Sequence, residues 1–258
     1  VAVAHNGNLI NARLLRDEYE AYGSIFKSSC DTEIIVHLLA KPTHQNKPDP
    51  LGHVLNHLQG AYSLLFLFSD HIEAARDPYG IHPLCLGRTA EGCYVVASES
   101  CAIDAIGATF LREVEPGEIV RLDRNGLHSR FFVKRGSITP AHCIFEHVYF
   151  SKQNSHIFGE NVHEFRKKLG RRLAREQPAG ADVVIPIPDS GTSSALGYAE
   201  QSVIPFDMGM VRSHYIGRTF ISPDQKLREL EVTLKLAIIK EVVQGKRVVV
   251  VDDSIVRG

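Results

Sequence analysis

Near the end of the chain, Val248-Val249-Val250-Val251 runs straight into Asp252-Asp253-Ser254-Ile255-Val256-Arg257-Gly258. The β-branched run reads as a strand buried on both faces, and residues past the carboxyl end of such a strand open into the crevice where α/β sheets bind ligands. Two adjacent carboxylates there can accept hydrogen bonds from sugar hydroxyls or hold a hard cation such as Mg2+. The small residues after them let backbone N–H groups cradle a phosphate. A phosphorylated sugar satisfies both halves, whereas an isolated Asp-Asp-Ser would serve equally as a helix cap. Upstream, the apolar run Val183–Ile187 ends in Pro188-Asp189-Ser190-Gly191-Thr192 and a helical pattern begins. Such a helix start attracts anions, although Ser and Thr are also ordinary N-caps. The polar stretch Tyr215–Gln225 carries Gly217 as a hinge and Arg218, suited to bidentate phosphate contact, and reads otherwise as solvated surface.

At the other end of the chain, Ala4-His5-Asn6-Gly7-Asn8-Leu9 follows a short apolar strand. The Asn6 side-chain amide beside the Gly7 backbone N–H can form an oxyanion hole for acyl transfer; taken alone, the pair is a turn. Asp31, in Ser28-Ser29-Cys30-Asp31-Thr32-Glu33, opens a helical pattern and reads by default as its N-cap.

The elements that must position these groups fall into two styles. Up to about residue 135, short apolar runs alternate with turn residues: Ala61–Ser69, Leu84–Gly87, Tyr94–Ser98, and the pair Glu118–Leu122 and Leu127–Val133 around Asp123-Arg124-Asn125-Gly126. That pair is a hairpin signature. With helical patterns at Asp31–Ala40 and Leu51–Leu58, and Lys41–Pro50 as a loop, this part is α+β. After Gly136-Ser137-Ile138-Thr139-Pro140, strand and helix patterns alternate. Val162, Phe165, Leu169 and Leu173 mark the apolar stripe of a basic helix; Asp182–Pro188 follows as a strand, Thr192–Gln201 as a helix, Met208–Val211 as a strand, Glu229–Gln244 as a helix and Lys246–Asp253 as a strand. That order belongs to a parallel sheet with crossover helices. The domain boundary is placed at 136, giving domains 1–136 and 137–258.

Composition excludes several classes. The chain has 258 residues with 29 basic and 30 acidic side chains and a net charge of −1, so no basic footprint for nucleic acid exists. No apolar stretch approaches the roughly 18 residues of a membrane span, which points to a soluble, cytoplasmic protein. Five cysteines (Cys30, Cys85, Cys93, Cys101, Cys143) form an odd count without any C-x-x-C, the pattern of reduced thiols rather than a disulfide framework. The 13 histidines contain no H-E-x-x-H, so a zinc hydrolase is unsupported. Val1 stands inside an apolar run and Gly258 follows a turn signal directly, so the chain is read as an internal segment of a longer protein.

The run Val248–Gly258 closely resembles the phosphoribosyl pyrophosphate (PRPP) motif of type I phosphoribosyltransferases. The segments Pro188–Thr192 and Tyr215–Gln225 resemble the pyrophosphate loop and the flexible PRPP-covering loop of the glutamine PRPP amidotransferases, or amidophosphoribosyltransferases. Ala4–Leu9, Ser28–Glu33, Ala75–Gly80, Ala97–Ser100 and Glu115–Glu118 are similar to the N-terminal nucleophile (Ntn) glutaminase domain of the same family. Departures occur at Ser213-His214, where Asn-Arg is usual, and at Thr233 and His82, where arginine is expected. The resemblance implies an Ntn glutaminase domain over 1–136 followed by a phosphoribosyltransferase domain over 137–258, each incomplete. It further implies that Asn6 and Gly7 stabilise an oxyanion and that Asp31 holds the glutamine amino group. Ser190, Gly191, Tyr215, Arg218, Asp252, Asp253, Ser254, Arg257 and Gly258 would bind PRPP, with Ser190, Asp252 and Asp253 at Mg2+. One branch of the family has an iron–sulfur ligand at the position of Cys143; a structural thiol is the alternative. A 4Fe–4S cluster needs four cysteine ligands, so the remaining three are expected beyond Gly258.

The implied activity is formation of 5-phosphoribosylamine from PRPP, glutamine and water, the first step of de novo purine synthesis, in a homo-oligomer with no nucleic-acid or membrane partner. The family's nucleophile is a terminal cysteine acting with its own α-amino group, and none of the five cysteines lies near Val1. The segment by itself is therefore expected to be inactive. A PRPP-sensing or scaffold protein that lost its nucleophile is the competing class. A glutaminase joined to a different acceptor domain, such as a sugar isomerase, would share the first half only, and Val248–Gly258 argues against it.

Overall fold

The computed structural model describes residues 1–213 and 236–255. It divides into two compact units, Val1–Glu146 with His156–Gly159, and His147–Ser155 with Glu160–Gly258. The division falls after Glu146 rather than at 136. Residues 137–146 follow the first unit because Ala141 and Cys143 donate backbone N–H bonds to Tyr79 O and Ile81 O, and Glu146 pairs with His82 at 2.6 Å. That hydrogen bond gives the departure at His82 a local partner.

The first unit runs β1 (Ala2–Leu9), α1 (Ala12–Ala21), α2 (Glu33–Ala40), α3 (Pro42–Gln45), α4 (Pro50–Leu55), β2 (Gly60–Leu67), β3 (Ile72–Arg76), β4 (Cys85–Arg88), β5 (Tyr94–Ala97), α5 (Ser100–Ala105), β6 (Thr109–Glu113), β7 (Glu118–Asp123) and β8 (Gly126–Phe131). A five-stranded antiparallel sheet has the order β1-β2-β3-β7-β8, and a second sheet has the order β5-β4-β6. Side chains alternate across a strand, and here both faces are used. Tyr62, Leu64, Phe66, Ala75 and Ile119 pack with Leu15, Tyr19, Ile34, Ile35, Leu38 and Val54 of the helices. Leu65, Ala74, Val120 and Leu122 turn to the other side, against Leu84, Leu86 and Val114. Burial on both faces explains why β2 reads as a continuous apolar run rather than an alternating one.

α1 has no counterpart among the sequence patterns, because its buried contribution is confined to Leu15 and Tyr19. The 41–50 stretch is more than a loop: it contains α3, and Asp49 caps α4 by accepting from Gly52 N at 3.1 Å. Arg130 holds the same Asp49 carboxylate and reaches Glu73, fixing the cap to the sheet.

A π-helical turn (Glu146–Phe150) and the short strands β9 (His156–Ile157) and β10 (Glu160–Asn161) precede α6 (Val162–Glu176), β11 (Val183–Pro186), α7 (Thr192–Ser202), β12 (Met210–Arg212), β13 (Leu236–Ile238), α8 (Lys240–Val243) and β14 (Val248–Val251). β11 pairs in parallel with β14, Val183 opposite Val248 through Pro186 opposite Val251, and on its other side Val184 bridges in parallel to Phe206. The parallel α/β character holds.

Three local expectations change. The buried row of α6 is Val162, Arg166, Gly170 and Ala174, while Leu169 and Leu173 remain 38% and 39% exposed. The cause is close packing on α7: a Cβ on Gly170 would lie 1.9 Å from Ser194 O, and one on Gly197 would lie 2.0 Å from Lys167 O. Small residues permit this approach, and the leucine row is displaced from the seam. In the expected helix 229–244, residues 229–235 lie outside the described residues, and Leu236–Ile238 is a strand, antiparallel to β12. Finally, β14 is not buried on both faces. Its neighbour among the described residues is β11 alone, and of the two faces Val250 is 51% exposed while Val251 is buried.

Candidate functional sites

In the first unit, Asn6 and Gly7 lie within β1 rather than at a turn. Pairing places Gly7 opposite Tyr62. Tyr62 uses its backbone on the far side: its carbonyl accepts from Asp77 N at 2.9 Å and its N–H faces the Asp77 carboxylate. Antiparallel pairs alternate in the direction of their backbone groups, so the Gly7 N–H points away from β2, off the open edge of the sheet that β1 forms among the described strands. Only glycine fits there, because φ is +150° and a Cβ would lie 2.0 Å from Ala61 O. The Asn6 side chain is exposed, and its Nδ2 donates to Ser98 Oγ at 3.4 Å. An amide N–H and a side-chain N–H therefore sit side by side with access to solvent.

Asp31 is not the N-cap of α2; that position belongs to Thr32, which makes no side-chain cap bond. Instead, Asp31 Oδ2 accepts from Leu9 N at 2.9 Å, and Oδ1 lies 3.7 Å from His5 Nδ1 and 3.4 Å from Thr32 Oγ1. Burial alone would raise the Asp31 pKa, but the Leu9 amide, His5 and Thr32 outweigh it and hold the carboxyl below its ordinary value. His5 shifts downward, chiefly through burial, with Asp31 opposing. Glu33 fixes the approach to this corner by accepting from the amides of Lys27 and Ser28, which brings its pKa down to about 2. Asn6 and Asp31 are thus both held at β1, the first as one of its residues and the second through the Leu9 amide. His5, Thr32 and Ser98 were not singled out from sequence; the alternation of β1, which turns His5 inward, was the available signal for the first of them.

In the second unit the two glycine-marked and acid-marked loops follow neighbouring parallel strands and leave the same sheet end. Ile187 N bonds to Val251 O at 2.9 Å, extending the ladder past β11. A Cβ on Gly191 would meet Val251 O at 2.5 Å and Asp252 Cα at 3.2 Å. Glycine is required there for close approach. The structure so brings Gly191 against Val251 and Asp252, with Ser190 beside it in one loop and Asp253 and Ser254 following in the other. Partial burial pushes the Asp252 carboxyl upward and the charge of Asp253 adds to it, while the Asp253 N–H, donating at 2.8 Å, opposes. Ser254 Oγ donates to Asp253. Arg212 Nη1 reaches Asp189 Oδ2 at 3.3 Å, and Gln153 Nε2 holds Asp189 O at 2.9 Å, contacts that no motif signalled. Tyr215, Arg218, Arg257 and Gly258, with Thr233 and His214, lie outside the described residues.

Adjacent carboxylates with hydroxyl oxygens beside them form a hard donor set of the kind Mg2+ prefers, and these residues fit such an ion. Cys143 does not by itself fit a cluster. It supplies one thiol, and among the described residues no group of three or more potential ligands includes it. All five cysteines are free.

Residues 1–105 match the family model described as a glutamine amidotransferase domain. The whole chain aligns at 52% identity with the chloroplastic amidophosphoribosyltransferase of Glycine max, covering 45% of that protein, and at 48% with the amidophosphoribosyltransferase of Bacillus subtilis, covering 54% of it. The chain is homologous to the amidophosphoribosyltransferases along its entire length. A solved glutamine PRPP amidotransferase of B. subtilis, complexed with ADP and GMP, superposes with a TM-score of 0.90 at 47% identity over 99% of this chain and 55% of that one. The fold is accordingly an α+β glutaminase-type domain followed by an α/β phosphoribosyltransferase-type domain. The chain spans about half the length of the curated amidophosphoribosyltransferases it matches. Asn6, Gly7 and Asp31 all fall inside the glutamine amidotransferase match.

Proposed function

We propose that the protein is an amidophosphoribosyltransferase, forming 5-phosphoribosylamine, glutamate and pyrophosphate from PRPP, glutamine and water at the first step of de novo purine biosynthesis. The observation that carries this reading is the contact of Gly191 with Val251 and Asp252, which joins a serine-bearing loop to a carboxylate pair at one sheet end in a chain homologous throughout to that family. In the first domain, the Gly7 N–H and Asn6 Nδ2 donate to the oxyanion that develops when the glutamine amide is attacked, and Asp31, kept ionised, accepts from the glutamine ammonium. In the second, Asp252 and Asp253 accept from the ribose hydroxyls, Ser254 and the residues after it receive the 5′-phosphate, and the Ser190-Gly191 loop faces the pyrophosphate. Tyr215, Arg218, Arg257 and Gly258 complete this assignment. Mg2+ held by Ser190, Asp252 and Asp253 would neutralise pyrophosphate charge.

Cys143 is assigned as one iron–sulfur ligand, completed by cysteines beyond Gly258; iron analysis of the anaerobically purified full-length protein giving none refutes it. A homo-oligomer in the cytoplasm is part of the same proposal. No helix among the described residues is long and apolar enough to cross a membrane, while the Glycine max relative is chloroplastic, so fractionation decides the compartment. The function itself is tested by assaying the full-length protein for glutamate release from glutamine and for pyrophosphate release from PRPP with ammonia. Both activities are expected. Binding of PRPP without either turnover would favour the non-catalytic sensor or scaffold.

A further inference from the structure

Away from both sites, three histidines of the first unit converge: His44 on α3, His53 on α4 and His57 just past the end of α4. Their ring centroids lie 4.9, 5.3 and 4.7 Å apart, and one ring nitrogen from each falls within 4.8 Å of the others. The tautomers of two follow from their partners. His44 Nδ1 sits 3.0 Å from Leu38 O, and His57 Nδ1 sits 2.8 Å from His53 O. A carbonyl oxygen only accepts, so both Nδ1 atoms carry the proton and both Nε2 lone pairs are left for a ligand. Metal-binding histidines are oriented in this manner, by donating the second ring N–H to a carbonyl or carboxylate. Burial is graded, His44 being buried, His53 half-buried and His57 exposed, which provides a fixed anchor and open access. A buried imidazole is also a poor choice for packing alone, since its polar atoms must be satisfied.

We propose that His44, His53 and His57 form a three-imidazole site for a borderline divalent metal, zinc foremost, with a fourth position open to solvent. Nitrogens about 2.0–2.1 Å from a tetrahedral zinc stand about 3.3 Å apart. The observed spread therefore closes by about 1.5 Å, through rotation of the less buried His53 and His57 rings toward His44. Imidazole donors select zinc, copper or nickel over magnesium, so this site differs in kind from the oxygen donors at Asp252 and Asp253. Occupied, it would tie α3 to the end of α4 and staple the connection that carries Asp49.

The test is calorimetric titration of metal-stripped full-length protein with zinc chloride, paired with Co2+ absorption spectroscopy. The wild type should bind with micromolar or tighter affinity at a nitrogen-ligated site, without thiolate charge-transfer bands, and zinc should raise its Tm. His57→Gln and His53→Gln, at the less buried positions, should each weaken this binding by about tenfold or more and abolish the Tm rise. Cys30→Ala and the double variant Asp252→Asn, Asp253→Asn should leave it intact. Absence of binding, retention of full affinity in both histidine variants, or a thiolate signature lost in Cys30→Ala would overturn the proposal.

Discussion

The two units hold their polar groups by different means. In the first, the Gly7 amide and the Asn6 side chain belong to the edge strand of a five-stranded sheet, and Asp31 is tied to the same strand through Leu9 N. Ladder bonds fix those groups before any ligand arrives. In the second, Ser190, Asp252 and Asp253 sit on loops, and what sets their spacing is one close backbone approach at Gly191. The strand beneath them, β14, is half covered, with Val250 exposed. A strand-borne site is preorganised by pairing. A loop-borne site depends on individual contacts at the sheet end, which suits an open crevice.

The sharpest way to break this comparison is to remove a preset donor. Asn6→Ala in the full-length protein should lower kcat for glutamine hydrolysis by about 10²–10³-fold and leave the ammonia-dependent reaction of PRPP measurable; steady-state assays of both half-reactions read the outcome. The reciprocal experiment is Asp252→Asn with Asp253→Asn. Here PRPP-dependent product should fall by on the order of a hundredfold, the scale of lost positioning, while glutamate release persists. An active double variant would remove the basis for the sugar-binding assignment.

Stability should separate the units in the same way. Gly170→Ala places a Cβ against Ser194 O, where backbone rather than a flexible side chain must yield. Overpacking of this kind costs about 1–3 kcal/mol. Hydrogen exchange should show the loss in α6, α7 and β11, with the first unit's core amides retained; uniform loss through both units would mean that they do not unfold separately.

The smallest effect concerns acid. Asp31 has a folded pKa below its unfolded value, so its contribution is fully present above about pH 3.9 and is lost as pH falls through the folded value. Asp31→Asn should therefore lower the urea midpoint near neutral pH. The gap to wild type should narrow below about pH 4; a gap independent of pH would assign the loss to packing instead of charge.

Much of this was legible without coordinates. The strand-then-acid run at 248–253, the strand-then-glycine run at 183–191 and the β7–β8 hairpin are local patterns, set by side-chain alternation and turn chemistry within a few residues. They determined the fold class, the sheet end at which ligands gather and the residues to watch. Three-dimensional packing decided the rest. The direction of the Gly7 N–H depends on which bonds Tyr62 makes to Asp77, and the partner of Asp31 is an amide 22 residues away. The buried row of α6 shifts by one position because two glycines let helices meet backbone to backbone. The histidine group draws on two helices and a following turn, and packing alone brings His44 to the i,i+4 pair His53 and His57. In each case periodicity tells which side of an element is apolar, but only long-range pairing and close packing tell what that side, and the backbone between, will face.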